Sequence, residues 1–201
     1  MADVGRLSYG QERHLGQAKG EGHDENRKPQ SALTKEGLPT GSPVRLTKNA
    51  AFDGQAAISP GGKRMAFVSE RDGDREIFVM NANAPEGRRN RPVSITNNTV
   101  PDQMPDWSPN GEQIVFQRGP DTGPSEIFKM NPNGRGRVNL TNTAALAERD
   151  PCFSPDGSKI AFERETSGNR EIWRMRAGGR NKVDLTNNPA VDANPSWQLV
   201  L

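Results

Sequence analysis

Three short apolar runs punctuate an otherwise polar chain: Met65-Ala66-Phe67-Val68, Ile114-Val115-Phe116 and Ile160-Ala161-Phe162. Each run is consecutively apolar and flanked by turn formers, which predicts a strand covered on both faces. Ahead of each stands a Ser-Pro-x-Gly tetrapeptide, at Ser59-Pro60-Gly61-Gly62, Ser108-Pro109-Asn110-Gly111 and Ser154-Pro155-Asp156-Gly157. Pro presets φ and Gly accepts the left-handed conformation, so the tetrapeptide predicts a tight hairpin between a preceding strand and the apolar one. After each run comes Glu-Ile-aromatic, at Glu76-Ile77-Phe78, Glu126-Ile127-Phe128 and Glu171-Ile172-Trp173, with Met80, Met130 and Met175 two positions later. An aliphatic-Thr pair closes each unit at Ile95-Thr96, Leu140-Thr141 and Leu185-Thr186, and Leu46-Thr47 precedes the first. The same markers in the same order, three times over, define a structural repeat.

Each unit predicts four strands: one before Ser-Pro-x-Gly, the apolar one, one through Glu-Ile-aromatic-x-Met, and one ending at aliphatic-Thr. Four antiparallel strands per repeat is a blade of a β-propeller, so the expected fold class is all-β. The expected blades cover residues 44–96, 97–141 and 142–186, with a partial unit over 187–201. Residues 1–42 carry six acidic residues, six basic residues and seven glycines with no apolar period. They read as a flexible polar tail, and they hold no secretory leader.

The markers resemble a known family. Asp-x-x-Pro-x-Trp-Ser-Pro-x-Gly, then a Lys-Ile-Ala-Phe-like strand, Glu-Ile-aromatic-x-Met and Leu-Thr, is similar to the TolB-type, WD-like β-propeller repeat. The second unit matches at Asp102, Pro105, Trp107, Ser108, Pro109 and Gly111. In the first, Asp53 fits while Ala56 and Ile58 stand for the proline and tryptophan. In the third, Pro151 fits while Glu148 and Phe153 replace Asp and Trp. A fourth unit opens with Asp192, Pro195 and Trp197. The resemblance implies a six-bladed ring behind an N-terminal α/β domain, whereas this chain supplies a three-bladed arc behind a polar segment. The arc reads as a fragment of a longer propeller, as half of a six-bladed ring closed by a homodimer, or as an open monomer. An open arc leaves one face of each end blade uncovered, and those faces are expected to be apolar.

The resemblance places the carboxylates Asp53, Asp102, Glu148 and Asp192 before the innermost strand of each unit, around one mouth of the channel. There they would bind a partner's basic group or a cation, or accept hydrogen bonds from their own loops. Other chemistry is scarce. Both histidines, His14 and His23, lie in the polar segment, so Cys152 has no histidine in its own domain to lower its pKa and reads as a packing residue. Trp107, Trp173 and Trp197 occupy apolar positions of the repeat and read as blade packing. Arg88-Arg89-Asn90-Arg91, with Arg135 and Arg137, reads as solvated loops. With 27 basic against 25 acidic residues, no electrostatic footprint for nucleic acid is present. Gly134-x-Gly136 lacks the strand-to-helix setting of a dinucleotide motif. No window is apolar enough for a membrane span.

These observations lead to a non-enzymatic, TolB-like protein-binding or scaffold module, with no cofactor and no metal, whose partner docks at the channel mouth. The alternative is the propeller portion of a larger hydrolase of the prolyl-oligopeptidase type, or of a sugar lyase. The chain as it stands implies a cytoplasmic location, and a periplasmic or extracellular one if a leader has been lost.

Overall fold

The computed structural model describes residues 44–198 together with the backbone of Leu7–Ser8. The remainder of the polar segment, including His14 and His23, lies outside the described residues. In chain order the strands are β1 (Leu7–Ser8), β2 (Asp53–Ile58), β3 (Arg64–Ser69), β4 (Glu76–Asn81), β5 (Val93–Ser94), β6 (Asp102–Trp107), β7 (Ile114–Arg118), β8 (Glu126–Met130), β9 (Val138–Asn139), β10 (Ala147–Phe153), β11 (Lys159–Thr166), β12 (Asn169–Arg176), β13 (Val183–Asp184) and β14 (Ser196–Trp197). They form three antiparallel four-stranded sheets, β2-β3-β4-β5, β6-β7-β8-β9 and β10-β11-β12-β13. The short β1 pairs with β14, Leu7 opposite Trp197 and Ser8 opposite Ser196. The described residues contain no helix, and so none long and apolar enough to cross a membrane.

Consecutive apolar residues in the second strands are explained by the packing, because each blade is sandwiched between neighbours. Alternate residues of one strand therefore enter two different cores. Ala66 and Ile77 face the second blade and meet Trp107, Ile114, Phe116 and Met130. Val115 and Ile127 face the third and meet Phe153, Ile160, Phe162 and Met175. The side chains of Phe67, Phe116 and Phe162, at one position of the repeat, are all fully buried.

The third-to-fourth-strand turns set how close the blades come. A Cβ on Gly134 (φ +78°) would lie 2.3 Å from the Ile95 carbonyl oxygen of the preceding blade. At Gly179 (φ +83°) it would lie 2.7 Å from the Leu140 carbonyl oxygen. Both turns need glycine twice over, for the left-handed backbone and for the approach. In the first blade the longer loop makes the corresponding contact by a hydrogen bond, Glu86 N–H to Leu46 O, 2.7 Å.

The ends of the arc depart from expectation. The outer face of the first blade is not bare: Met65, Phe67, Phe78 and Met80 are buried in a cluster that includes Leu46 and Ala82. At the other end the expectation holds at one position. Leu185 is 37% exposed, against 7% for Ile95 and 5% for Leu140, whose blades have a full successor. The fourth strands also stop short of the aliphatic-Thr pair, at Ser94, Asn139 and Asp184. A threonine hydroxyl takes over the next backbone donor there, Thr96 accepting from Ile77 N–H at 2.7 Å and Thr141 and Thr186 from Ile127 and Ile172 at 3.0 Å. Each hydroxyl donates to the glutamate before that isoleucine, Glu76, Glu126 or Glu171.

Candidate functional site

Each first strand carries a bulge at the same place, between Gly54 and Ala57, Gln103 and Asp106, and Arg149 and Cys152. The bulged residues Gln55, Met104 and Asp150, and their counterpart Asn194 before β14, all hold a positive φ between 48° and 55°. Left-handed backbone in non-glycine residues costs energy and is held here by the surrounding blades. In the last three units the next residue is proline, at Pro105, Pro151 and Pro195, which removes a donor from a ladder the bulge has already broken. The bulges converge on a cavity of about 310 Å³ lined by Gln55, Ala56, Met104, Pro105, Asp150, Pro151, Cys152, Asn194 and Pro195.

The polar groups around this cavity tie neighbouring blades together. Gln55 Oε1 accepts from Met104 N–H at 2.9 Å, one blade onward. Glu163 Oε1 accepts from Asn194 N–H at 2.6 Å in the same manner. Trp107 Nε1–H donates to Ala57 O (3.1 Å), and Trp197 Nε1–H to Cys152 O (3.3 Å). The middle junction lacks that indole because Phe153 stands at the position. Its backbone N–H instead donates to Asp106 Oδ2 at 2.8 Å.

Burial raises the acids of this region. Desolvation pushes Asp106 up to about 6. Asp150 is pushed up to about 7, by burial first and then by the neighbouring Glu163 carboxylate. Burial, with Asp106 and Asp150 nearby, raises the Cys152 thiol to about 12, far from the range of a reactive thiolate. Among the described residues no group of histidine, cysteine and acidic side chains is arranged to hold a metal ion.

Of the four carboxylates singled out from sequence, Asp53 and Asp102 open β2 and β6, Glu148 is the second residue of β10 and Asp192 lies four residues before β14; the first three face an arginine of their own blade. Arg118 Nε and Nη2 donate to the two oxygens of Asp102 at 2.7 and 2.8 Å. Arg164 Nε and Nη2 both donate to Glu148 Oε1, at 2.9 and 2.5 Å. Arg71 reaches Asp53 at 3.2 Å. Each guanidinium lies over aromatic rings of its blade, such as Arg164 at 4.1 Å above Trp173. An asparagine four residues earlier adds a second brace, Asn49 to Asp53, Asn98 to Asp102 (2.8 Å) and Asn188 to Asp192 (2.6 Å). Asp192 is half-buried; its backbone N–H donates to Arg170 O at 2.9 Å, and among the described residues no arginine side chain is bonded to its carboxylate.

Sequence reasoning did not find the arginines or the bulges. The arginine signal was present, two residues after the buried phenylalanine in Phe116-Gln117-Arg118 and Phe162-Glu163-Arg164. It is broken in the first unit, where Ser69 holds that position and Arg71 reaches back from two residues further on. Arg88, Arg89, Arg91, Arg135 and Arg137 are exposed, as expected of solvated loops.

Blades of this construction define a β-propeller arc. No protein-family model matches the chain. It is 30% identical over 132 residues to a protein named TolB homolog from Chlorobium luteolum, a match covering 64% of this chain and 28% of the relative. The structure of TolB from Acinetobacter baumannii aligns with a TM-score of 0.64 at 20% identity, over 78% of this chain and 37% of that one. A structure provisionally named TolB from Agrobacterium tumefaciens aligns at 0.61 with 24% identity, over 73% and 54%. The repeats of this chain are of the TolB-type β-propeller family, and the chain spans about a quarter to about half of these relatives' length. The same fold recurs at 13% identity in a puromycin-hydrolyzing peptidase from Mycobacterium tuberculosis and in an oligogalacturonate lyase, each with a TM-score of 0.55.

Proposed function

We propose that this chain is a non-enzymatic protein-binding module whose partner docks over the cavity where the first-strand bulges converge. The observation that carries the reading is the four-fold recurrence of a left-handed residue at Gln55, Met104, Asp150 and Asn194 around one shallow opening lined by both polar and apolar groups. Such backbone concentrates at functional sites, and a shallow lining that mixes prolines and Met104 with Gln55, Asp150 and Asn194 suits contact with a partner's surface. In this reading Asp53, Asp102 and Glu148 act from behind: paired with arginine, they hold the mouth loops in place. Asp192, half-buried and with no arginine side chain on its carboxylate among the described residues, is the one of the four we assign to meet a partner's basic group. The module works without a cofactor.

Photo-crosslinking tests this. A benzophenone amino acid at Gln55 or Met104 should give one discrete protein adduct in an extract of the source cells, and the same group at Asn110, in the distal turn, should give none. Equal labelling from all three positions, or no adduct from any, defeats the proposal.

A second reading treats the arc as the propeller portion of a hydrolase or lyase, and the likeness to the peptidase and lyase propellers favours it. The chain's own contribution would then be to cover a catalytic part carried elsewhere. Peptidase or pectic-lyase activity appearing when this arc is joined to further sequence from its own reading frame would support that reading.

A further inference from the structure

The turns between third and fourth strands share a feature that no contact inside the blades accounts for. Each runs Arg-x-(Arg or Lys) and then valine: Arg89-Asn90-Arg91 with Pro92-Val93, Arg135-Gly136-Arg137 with Val138, and Arg180-Asn181-Lys182 with Val183. The valine opens the fourth strand each time and is exposed, 62% at Val93, 48% at Val138 and 40% at Val183. Among the described residues the side chains of Arg89, Arg91, Arg135 and Arg180 carry no hydrogen bond or ion pair. Arg137 and Lys182 reach only a carbonyl of their own turn, Gly134 O at 3.3 Å and Gly179 O at 2.8 Å.

A near-neutral composition hides this row because charge is sorted by the end of the blade. Residues 82–92, 131–137 and 177–182 hold seven basic residues and one acid, Glu86, which is paired with Arg71 at 3.0 Å. At the opposite end, residues 70–75, 119–125 and 167–168 hold four acids and two basic residues. The basic turns are also neighbours. The Gly134 turn abuts Ile95, two residues past Val93, and the Gly179 turn abuts Leu140, two residues past Val138. Cations and valines thus line up along successive fourth strands. Like charges side by side repel, and an exposed valine gains nothing from water, so what the row gains it gains from a partner.

We propose that this row is a second interaction surface, which takes an extended segment of another polypeptide with acidic side chains set among aliphatic ones. The segment's carboxylates would meet the Arg-x-(Arg or Lys) pairs, since a guanidinium takes a carboxylate through two parallel hydrogen bonds. Its aliphatic side chains would cover Val93, Val138 and Val183. A nucleic acid suits the cations but not the rest of the row. Bases need a stacking platform, and among the described residues no exposed large apolar side chain is aromatic. The row lies on the last strand of each sheet and the bulge cavity on the first, so either proposal can fail without the other.

The test titrates the full chain into a fluorescein-labelled peptide of four Asp-Glu-Val repeats and follows fluorescence anisotropy. Saturable binding is expected, weakened several-fold as NaCl rises from about 50 to about 300 mM, because exposed charges are screened. Arg89→Ser, Arg135→Ser and Arg180→Ser together should weaken it about tenfold, each exposed ion pair being worth a factor of about two. These side chains touch nothing in the blades, so the triple variant should keep the wild-type thermal midpoint. A peptide of Asp-Glu-Ser repeats should bind several-fold less tightly to the wild-type chain, and an oligothymidylate of equal charge less tightly still. Absence of saturable binding reduces the row to a guard against edge-to-edge aggregation and overturns the proposal. Equal affinity for the valine and serine peptides, an unaffected triple variant, or tighter binding of the oligothymidylate overturns it as well.

Discussion

Arg118 grips Asp102 through two parallel N–H···O contacts of 2.7 and 2.8 Å, and the carboxylate is completely buried. The pair fastens the start of β6 to the end of β7, directly opposite each other in the ladder. Glu148 and Arg164 make the same crossing in the third blade.

Because Asp102 is inside, removing its partner should be expensive. Arg118→Leu is expected to cost about 3–5 kcal/mol, since an unpaired buried charge remains. Adding Asp102→Asn should recover most of that loss. A urea denaturation cycle over the two single variants and the double reads both effects, and strictly additive losses would contradict the pairing.

Trp107 combines core packing with the junction bond to Ala57, and Arg64 lies over its ring at 4.7 Å. Trp107→Ala should therefore cost about 3–5 kcal/mol. An unchanged denaturation midpoint would place the residue outside the core.

The third blade lacks the asparagine brace. Thr143 stands where the second blade has Asn98, and both Thr143 Oγ1 and Glu148 Oε2 are buried without a partner. Thr143→Asn is expected to stabilise the chain by about 1 kcal/mol by giving that oxygen a donor. A lowered thermal midpoint would show that the one-residue-longer spacing to Glu148 prevents the bond.

Asp150 should make stability depend on pH. Its folded value, about 7, lies above the ordinary 3.8, because of burial and Glu163, partly offset by Arg170 and Arg149. The folded chain then holds a proton that the unfolded chain has released. Stability from this group is complete below about pH 4, declines as pH rises, and is gone above about 7. The thermal midpoint of Asp150→Asn should thus exceed the wild-type value at pH 8 by several degrees, with the gap closing at pH 4. A gap that is constant across this range would remove Asp150 as its source.

Sequence alone determined the repeat and its strand order. Ser-Pro-x-Gly, Glu-Ile-aromatic-x-Met and aliphatic-Thr are local signals: turn geometry, a buried strand and a hydroxyl cap act within one blade, so they leave a mark at fixed spacing. Their chemistry was only half legible, since Glu76 and Thr96 recur together without revealing that they touch. The tertiary structure decided what those residues do between elements. It turned Asp53, Asp102 and Glu148 inward to arginines, gathered the three bulges and Asn194 on one opening, and left the Thr47 hydroxyl without a hydrogen bond. These outcomes depend on which blade lies beside which, a relation set by packing across tens of residues. A side chain's partner in a neighbouring blade exerts no constraint that its own local sequence can display.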